Sequence, residues 1–371
     1  MEFSFKDLLR NIVETDSNGK NTVIYDDHGN PNVMVRIPKF NMDSWGIDGL
    51  SGVHPAFIVH GREIPEIYIS KYNCTTEAAG GVYSSFHNAT PTADFGRWRD
   101  AYDNICRKGR GWHMLTLAEH SAVSMQAAMR DNKVSKFGIS PTKKLAGGPL
   151  YGADQSNGNS DTDQVPYPRY ASTGYNHDGT RNGITLFGGC LWDALSGVKT
   201  INGKLYVHGE DGTAMNNFDS PDVKGEGGKG WLDTGIWVNN VNGVATYAKS
   251  YNNVAQPAPG DGTNSFIGRL ITAFNAMGGQ NIPPSYFKPL GLQYTSLMVG
   301  HEFGLKATAC GQYEMFNVGE VHAVKGGSYG SGSGDAKSAE TSLFTIAFMH
   351  TETAVAVTSW SCGVRVAYIP Y

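Results

Sequence analysis

Between residues 95 and 130 the apolar residues of this chain recur every third or fourth position, whereas the runs on either side alternate or break at glycine. This change of period points to a fold with two helices set among short strands. Phe95, Trp98, Ala101, Tyr102 and Ile105 define the first predicted helix, with Asp94 as its N-cap and Gly109 as its end. Thr116 and Glu119 form a capping box, in which each side chain satisfies the other's backbone N–H. Ala118, Ala122, Met125 and Met129 follow as a stripe, which places the second helix at about 117–130.

The flanking runs read as strands. Val33 to Ile37 alternates weakly, and the runs Ala56 to Val59 and Ile64 to Ser70 are joined by a turn at Gly61. Lys204 to His208, Thr234 to Val238, Ser342 to Met349 and Gly363 to Ile369 are the clearest strands further on. Between them, Gly147-Gly148, the run from Ser156 to Ser160 and the turn at Asp178 mark long loops. No internal repeat is present. With 47 glycines in 371 residues and only 17% charged residues, the chain has the profile of a loop-rich β protein. Its length suits one elaborated domain, and its fold class is α+β.

Charge and motifs exclude several functions. A net charge of -4 carries no basic excess for tracking phosphates, so nucleic acid is not an expected partner. No run approaches the roughly 18 apolar residues of a membrane span, and charges interrupt the first ten residues where a secretory leader needs an apolar core. The expectation is therefore synthesis in a cytoplasm, with a place on a virion tail or outside the cell only after release. Five scattered cysteines, Cys74, Cys106, Cys190, Cys310 and Cys362, form no C-x-x-C pair and no complete disulfide framework.

The segment Gly225 to Gly230 matches a dinucleotide-binding pattern, but Trp231 to Gly235 follows it instead of a helix. Gly326 to Gly330 matches G-x-S-x-G, with Asp335 and His350 downstream in hydrolase order. A Gly/Ser-rich run follows the serine where a nucleophile elbow needs a helix. His301-Glu302 lacks a second histidine at zinc-protease spacing. No catalytic residue and no cofactor are expected. Structural calcium stays open, because loops such as 157–163 carry hard oxygen ligands, although none has EF-hand spacing and solvated turns are their ordinary use.

Several blocks in fixed order carry a resemblance. The first is His54 to Ile58 with Glu66 to Tyr72, the second Gly109 to Glu119, and the third Asn176 to Thr180 through Gly183 to Trp192, followed by Leu195 to Lys199. At the C-terminus stand Lys325-Gly-Gly-Ser-Tyr329 and Cys362-Gly-Val-Arg365. Together they resemble the formylglycine-generating-enzyme branch of the C-type-lectin fold, particularly the target proteins of diversity-generating retroelements. The third block is similar to the family's "GIYDLNGNVWEW" core, and the last two to its "RGGSW" and closing "GFR" elements.

The resemblance implies a C-type lectin fold: two helices, small antiparallel sheets and long irregular loops. Oxidase members of the family need paired C-terminal cysteines for copper chemistry, since soft thiolates select copper(I). Residues 326–337 contain none, so a sulfatase-modifying-type oxidase, or a degenerate relative of it, is the alternative to a binding protein. In retroelement targets, mutagenesis of adenines in Asn codons yields Tyr, Ser, Asp, Ala, Phe, His or Thr, but not Lys, Glu, Met or Trp. The resemblance therefore implies a variable region at about 325–366. Its receptor-binding positions would be Tyr329, Ser331, Ser333, Asp335, Ala347, Phe348, His350, Thr351 and Thr353, with Lys337, Glu340, Met349, Glu352 and Trp360 as scaffold.

The expected partner is a cell-surface protein or glycan, with host attachment by a phage tail fibre as the implied setting. Residues 46–371 form the predicted ligand-binding domain. Residues 1–45 are predicted to be a β-rich extension whose apolar runs need a partner surface, which makes them the assembly segment of a homo-oligomer, expected to be a homotrimer.

Overall fold

The computed structural model describes residues 4–75, 79–86, 97–130, 176–185, 187, 192–225, 228–241, 244–249, 266–269, 284–294, 312–315, 319–325, 346–350 and 362–370. Within them the chain is α+β, with three α-helices and sheets that are mostly antiparallel.

The N-terminal part differs from expectation. Residues Phe5–Asp16 form a helix, α1, started by a capping box between Ser4 and Asp7, a signal the strand reading passed over. The strands β1 (Asn21–Tyr25) and β2 (Pro31–Pro38) then form a hairpin. They are not a separate extension. After the short hairpin β3 (Ile58–Val59) and β4 (Arg62–Glu63), β2 pairs along its length with β5 (Glu66–Ser70), so the segment before residue 46 is part of the domain's own sheet. The strand predicted at 56–59 is mostly a 3₁₀ turn over Pro55–Phe57, with Pro55 at its start and the His54 ring capping Ala56.

The first predicted helix is α2 (Trp98–Cys106), which begins after Arg97; Asp94 and Phe95 lie outside the described residues. Strand β6 (Trp112–Met114) leads into α3 (Leu117–Arg130), which matches the predicted span. The capping box is formed and buried, with Thr116 N donating to Glu119 Oε2 at 2.9 Å and Glu119 N to Thr116 Oγ1 at 3.2 Å.

Next come β7 (Trp192–Ile201), β8 (Lys204–Glu210), β9 (Thr213–Ala214), β10 (Trp231–Val241) and β11 (Val244–Ala248). The C-terminal part supplies β12 (Phe266–Arg269), β13 (Gln312–Met315), β14 (Glu320–Lys325), β15 (Ile346–His350), β16 (Cys362–Val364) and β17 (Val366–Tyr368).

Two main sheets result. One has the order β1-β2-β5-β17-β6, and the other β11-β10-β8-β7-β14-β15 with β16 beside β7 and β9 beside β8. The C-terminal strands tie the two together, because β16 pairs with β7 in one sheet and β17 lies between β5 and β6 in the other.

The larger sheet is covered on both faces. Leu195 and Ala323 join a core with Ala118, Ala122 and Met125 of α3, whereas their neighbours Ala194 and Val324 join a second core around Trp98, Ala101 and Ile105 of α2. Alternation along a strand requires this division. No helix among the described residues is long and apolar enough to cross a membrane.

Candidate functional site

The predicted recognition segment begins at Lys325, which ends β14, and runs to Arg365, between β16 and β17; its described part includes β15, paired with β14. Both cations are buried. Lys325 ends β14 and sends its ammonium to Ser121 Oγ on α3 at 3.0 Å, while that hydroxyl donates to Leu290 O at 2.6 Å. Burial pushes the Lys325 amine down to about 7. Two buried histidines stand close enough to feel its charge. His54 donates through Nε2 to Pro289 O and accepts from Ala56 N at Nδ1, and burial lowers it to about 3. His120 meets Ser124 Oγ at 3.1 Å through Nδ1, and burial likewise holds it well below its ordinary value, helped by the charges of Lys325 and Arg365.

Arg365 sits where the sequence blocks meet. Its Nε lies 3.1 Å from both oxygens of Asp193, and one terminal nitrogen donates to Asn73 Oδ1 at 2.8 Å and Thr185 O at 2.7 Å. Its other terminal nitrogen reaches Lys71 O at 3.5 Å, and its backbone carbonyl accepts from Leu115 N. Asn73 also donates to Asp193, so the carboxylate is held from two sides. Burial raises the Asp193 carboxyl even against the pull of Arg365.

A second buried cluster pins β14 to the loop before β10. Asp222, Glu320 and His322 each place one potential metal-ligand atom within 4.8 Å of the others. The Lys199 ammonium serves them already, at 2.8 Å from Asp222 Oδ1, 2.8 Å from Val223 O and 3.2 Å from Glu320 Oε1. Arg99 adds a second cation at 3.4 Å from Asp222 and 3.7 Å from Glu320. Two carboxylates are thus balanced by two protein cations, the arrangement of a structural lock. Burial opposes ionisation of Glu320, but hydrogen bonds from His322 and Gly225 N and the Lys199 charge hold it down at about 2. Burial lowers His322 in spite of its carboxylate neighbours, and its ring stacks on Trp98 at 3.5 Å.

Of the nine predicted receptor-binding residues, Ala347, Phe348 and His350 lie in β15, paired with Val324, Ala323 and Val321 of β14. All three partners are buried, so the β15 backbone is committed to a core sheet. Tyr329, Ser331, Ser333, Asp335, Thr351 and Thr353 lie outside the described residues, as do Gly326 to Gly330, His301-Glu302 and the loop 157–163. The dinucleotide-like glycines run into β10 instead of a helix, and Gly225 N donates to Glu320 Oε2 at 2.8 Å. Cys74 and Cys106 are free thiols.

Sequence reading missed the anchors Asn73, Asp222 and Asp193, whereas Lys199 closes the run Leu195 to Lys199 quoted with the third block. Only Asp193 carried a signal, standing directly after Trp192 at the end of the third block. No protein-family model matches the chain, and no curated protein matches it.

Proposed function

We propose that the chain is a receptor-binding protein of C-type-lectin fold, in the formylglycine-generating-enzyme branch, that recognises a cell-surface protein or glycan through side chains carried between Lys325 and Arg365. The observation that carries this reading is the convergence at Arg365. Groups of Lys71, Leu115 and Thr185, one from each of the first three sequence blocks, and the Asp193 carboxylate all bond to this one residue. A segment bracketed by two buried anchors can exchange exposed side chains without disturbing either end. That is the requirement for a surface diversified by a retroelement. A phage tail fibre or similar adhesin is the setting this suits, and self-association of the chain would raise the avidity of weak contacts by ~10²–10⁴ where geometry permits.

The test uses the fluorescently labelled full-length chain on a panel of bacterial cells, read by flow cytometry. At least one cell type should bind it saturably. On that cell, Tyr329→Ala should weaken binding by about 30-fold, the equivalent of an aromatic hot spot worth ~2 kcal/mol. Unchanged binding by Tyr329→Ala and by alanine at Asp335 would place recognition elsewhere on the protein. Sequencing the flanking DNA for a reverse transcriptase and a near-copy of the variable segment tests diversification separately.

A further inference from the structure

We infer that Lys199 and Asp222 are the two ends of an intramolecular amide cross-link, which the chain forms by itself with Glu320 as proton acceptor. The inference rests on this buried cluster and not on the receptor-binding reading.

The reacting groups are already in contact. Lys199 Nζ stands 2.8 Å from Asp222 Oδ1, on side chains 0% and 1% exposed. Glu320 Oε1 lies 3.2 Å from the same nitrogen. The Trp231 ring covers the amine, its centroid 4.7 Å from Nζ, and Trp98 backs His322 through their ring stack. An amine and a carboxyl held together away from water react at a high effective concentration, and the walls keep out the water that would reverse the step.

The second oxygen of Asp222 supports the same reading. Oδ2 is buried and makes no hydrogen bond, although His322 Nε2 stands 3.1 Å from it and Arg99 3.4 Å. Nε2 faces carboxylate oxygens of both Asp222 and Glu320, whereas Nδ1 is buried without a hydrogen bond, so the ring proton belongs on Nε2. An N–H and a guanidinium therefore flank the oxygen on which negative charge develops when an amine adds to the carboxyl.

The step balances as a condensation. The Lys199 ammonium gives one proton to Asp222 Oδ1, a transfer favoured by the cost of keeping two charges buried. The amine adds to Asp222 Cγ, forming the C–N bond. Glu320 takes a second proton from the nitrogen and passes it to Oδ1, the C–Oδ1 bond breaks, and Oδ1 departs as water. Oδ2 remains as the amide carbonyl, and the third ammonium proton as the amide N–H. Two carboxylates and two cations become one of each, Glu320 and Arg99, 3.7 Å apart, so no charge is stranded. The product fastens β7 to the loop before β10, across 23 positions of the chain.

A second buried lysine–aspartate pair shows what the reaction requires. Lys108 Nζ is also 2.8 Å from Asp26 Oδ2. Both Asp26 oxygens accept hydrogen bonds from Asn30, and the other hydrogen bond of the amine goes to Tyr83 O instead of to a second carboxylate. That pair should stay ionic.

The experiment is mass spectrometry of the full-length chain under denaturing conditions. Wild type should be lighter than its sequence by one water molecule. Trypsin should release a branched peptide joining residues 182–204, uncut at Lys199, to residues 205–224. Glu320→Gln, which removes the proton acceptor, and Lys199→Arg, which keeps the cation but not the nucleophile, should each show the full sequence mass, with circular dichroism as the check on folding. The wild-type mass is decisive by itself if a variant fails to fold. A wild type of full sequence mass, a water loss placed at other residues, or a Glu320→Gln variant that still lacks the water would each overturn the proposal.

Discussion

Arg365→Met is expected to destabilise the folded chain by about 3–5 kcal/mol, read from the shift of its urea unfolding curve. The substitution strands the Asp193 carboxylate in the core with Asn73 as its remaining partner. It also leaves Thr185 O and Asn73 Oδ1 without the donor that Arg365 supplies to both. Arg365→Lys should recover little, because an ammonium lacks the planar fork that reaches Asp193, Asn73 and Thr185 together. Removing the stranded charge as well, in Arg365→Met with Asp193→Leu, should recover much of the loss. A loss below about 1 kcal/mol in the single variant would mean that the convergence at Arg365 does not hold the C-terminal strands.

The pH dependence of stability should be dominated by the base of the recognition segment. Lys325 is held at about 7 in the folded chain against an ordinary value of 10.5. Its folded value is lowered, so between those limits the unfolded chain takes up a proton that the folded chain refuses. Stability then falls as pH falls from 10.5 towards 7, and this group adds no further slope below 7. The whole gap corresponds to on the order of 5 kcal/mol, or about 1.4 kcal/mol for each pH unit traversed. His54, lowered to about 3, acts in the same direction over a more acid window, with stability lost as pH falls from 6.5 towards 3; His120 adds to that limb. Wild-type unfolding free energy should therefore rise by roughly 2–3 kcal/mol between pH 7 and 9. Lys325→Met should be flat over that range and more stable than wild type at pH 7, since an apolar side chain replaces a buried amine. A wild-type curve that is flat from pH 7 to 9 would refute the buried-amine account.

Legibility in the sequence followed the range of each interaction. The capping box of α3 and its stripe lie within one turn or two, so the predicted span and the observed helix agree. The strand at 204–208 and the one at 234–238 were readable from local alternation and fall within β8 and β10. The helix α1 was also readable in principle, from Ser4, Asp7 and apolar residues three and four apart. What could not be read is pairing between distant segments. Asp193 and Arg365 stand 172 positions apart, and no local pattern distinguishes a carboxylate that meets an arginine from one that meets water. The same distance effect placed β2 beside β5, which makes truncation before residue 46 the removal of two sheet strands and not of an appendage.

The β15 register also sorts the predicted recognition residues. Phe348 and His350 pair with Ala323 and Val321, both fully buried, whereas Tyr329, Ser331, Ser333, Asp335, Thr351 and Thr353 lie outside the described residues. The weight of the binding proposal therefore rests on those six.

The most direct measurement replaces all six with alanine in the full-length chain and compares thermal unfolding with binding to the cell that wild type binds. Exposed substitutions away from capping or buried contacts usually alter stability by about 0.5 kcal/mol or less each, so the unfolding midpoint should move by only a few degrees. Binding should fall to background. A variant that binds as wild type does, or one that loses its cooperative unfolding transition, would contradict a recognition surface carried on an independent scaffold.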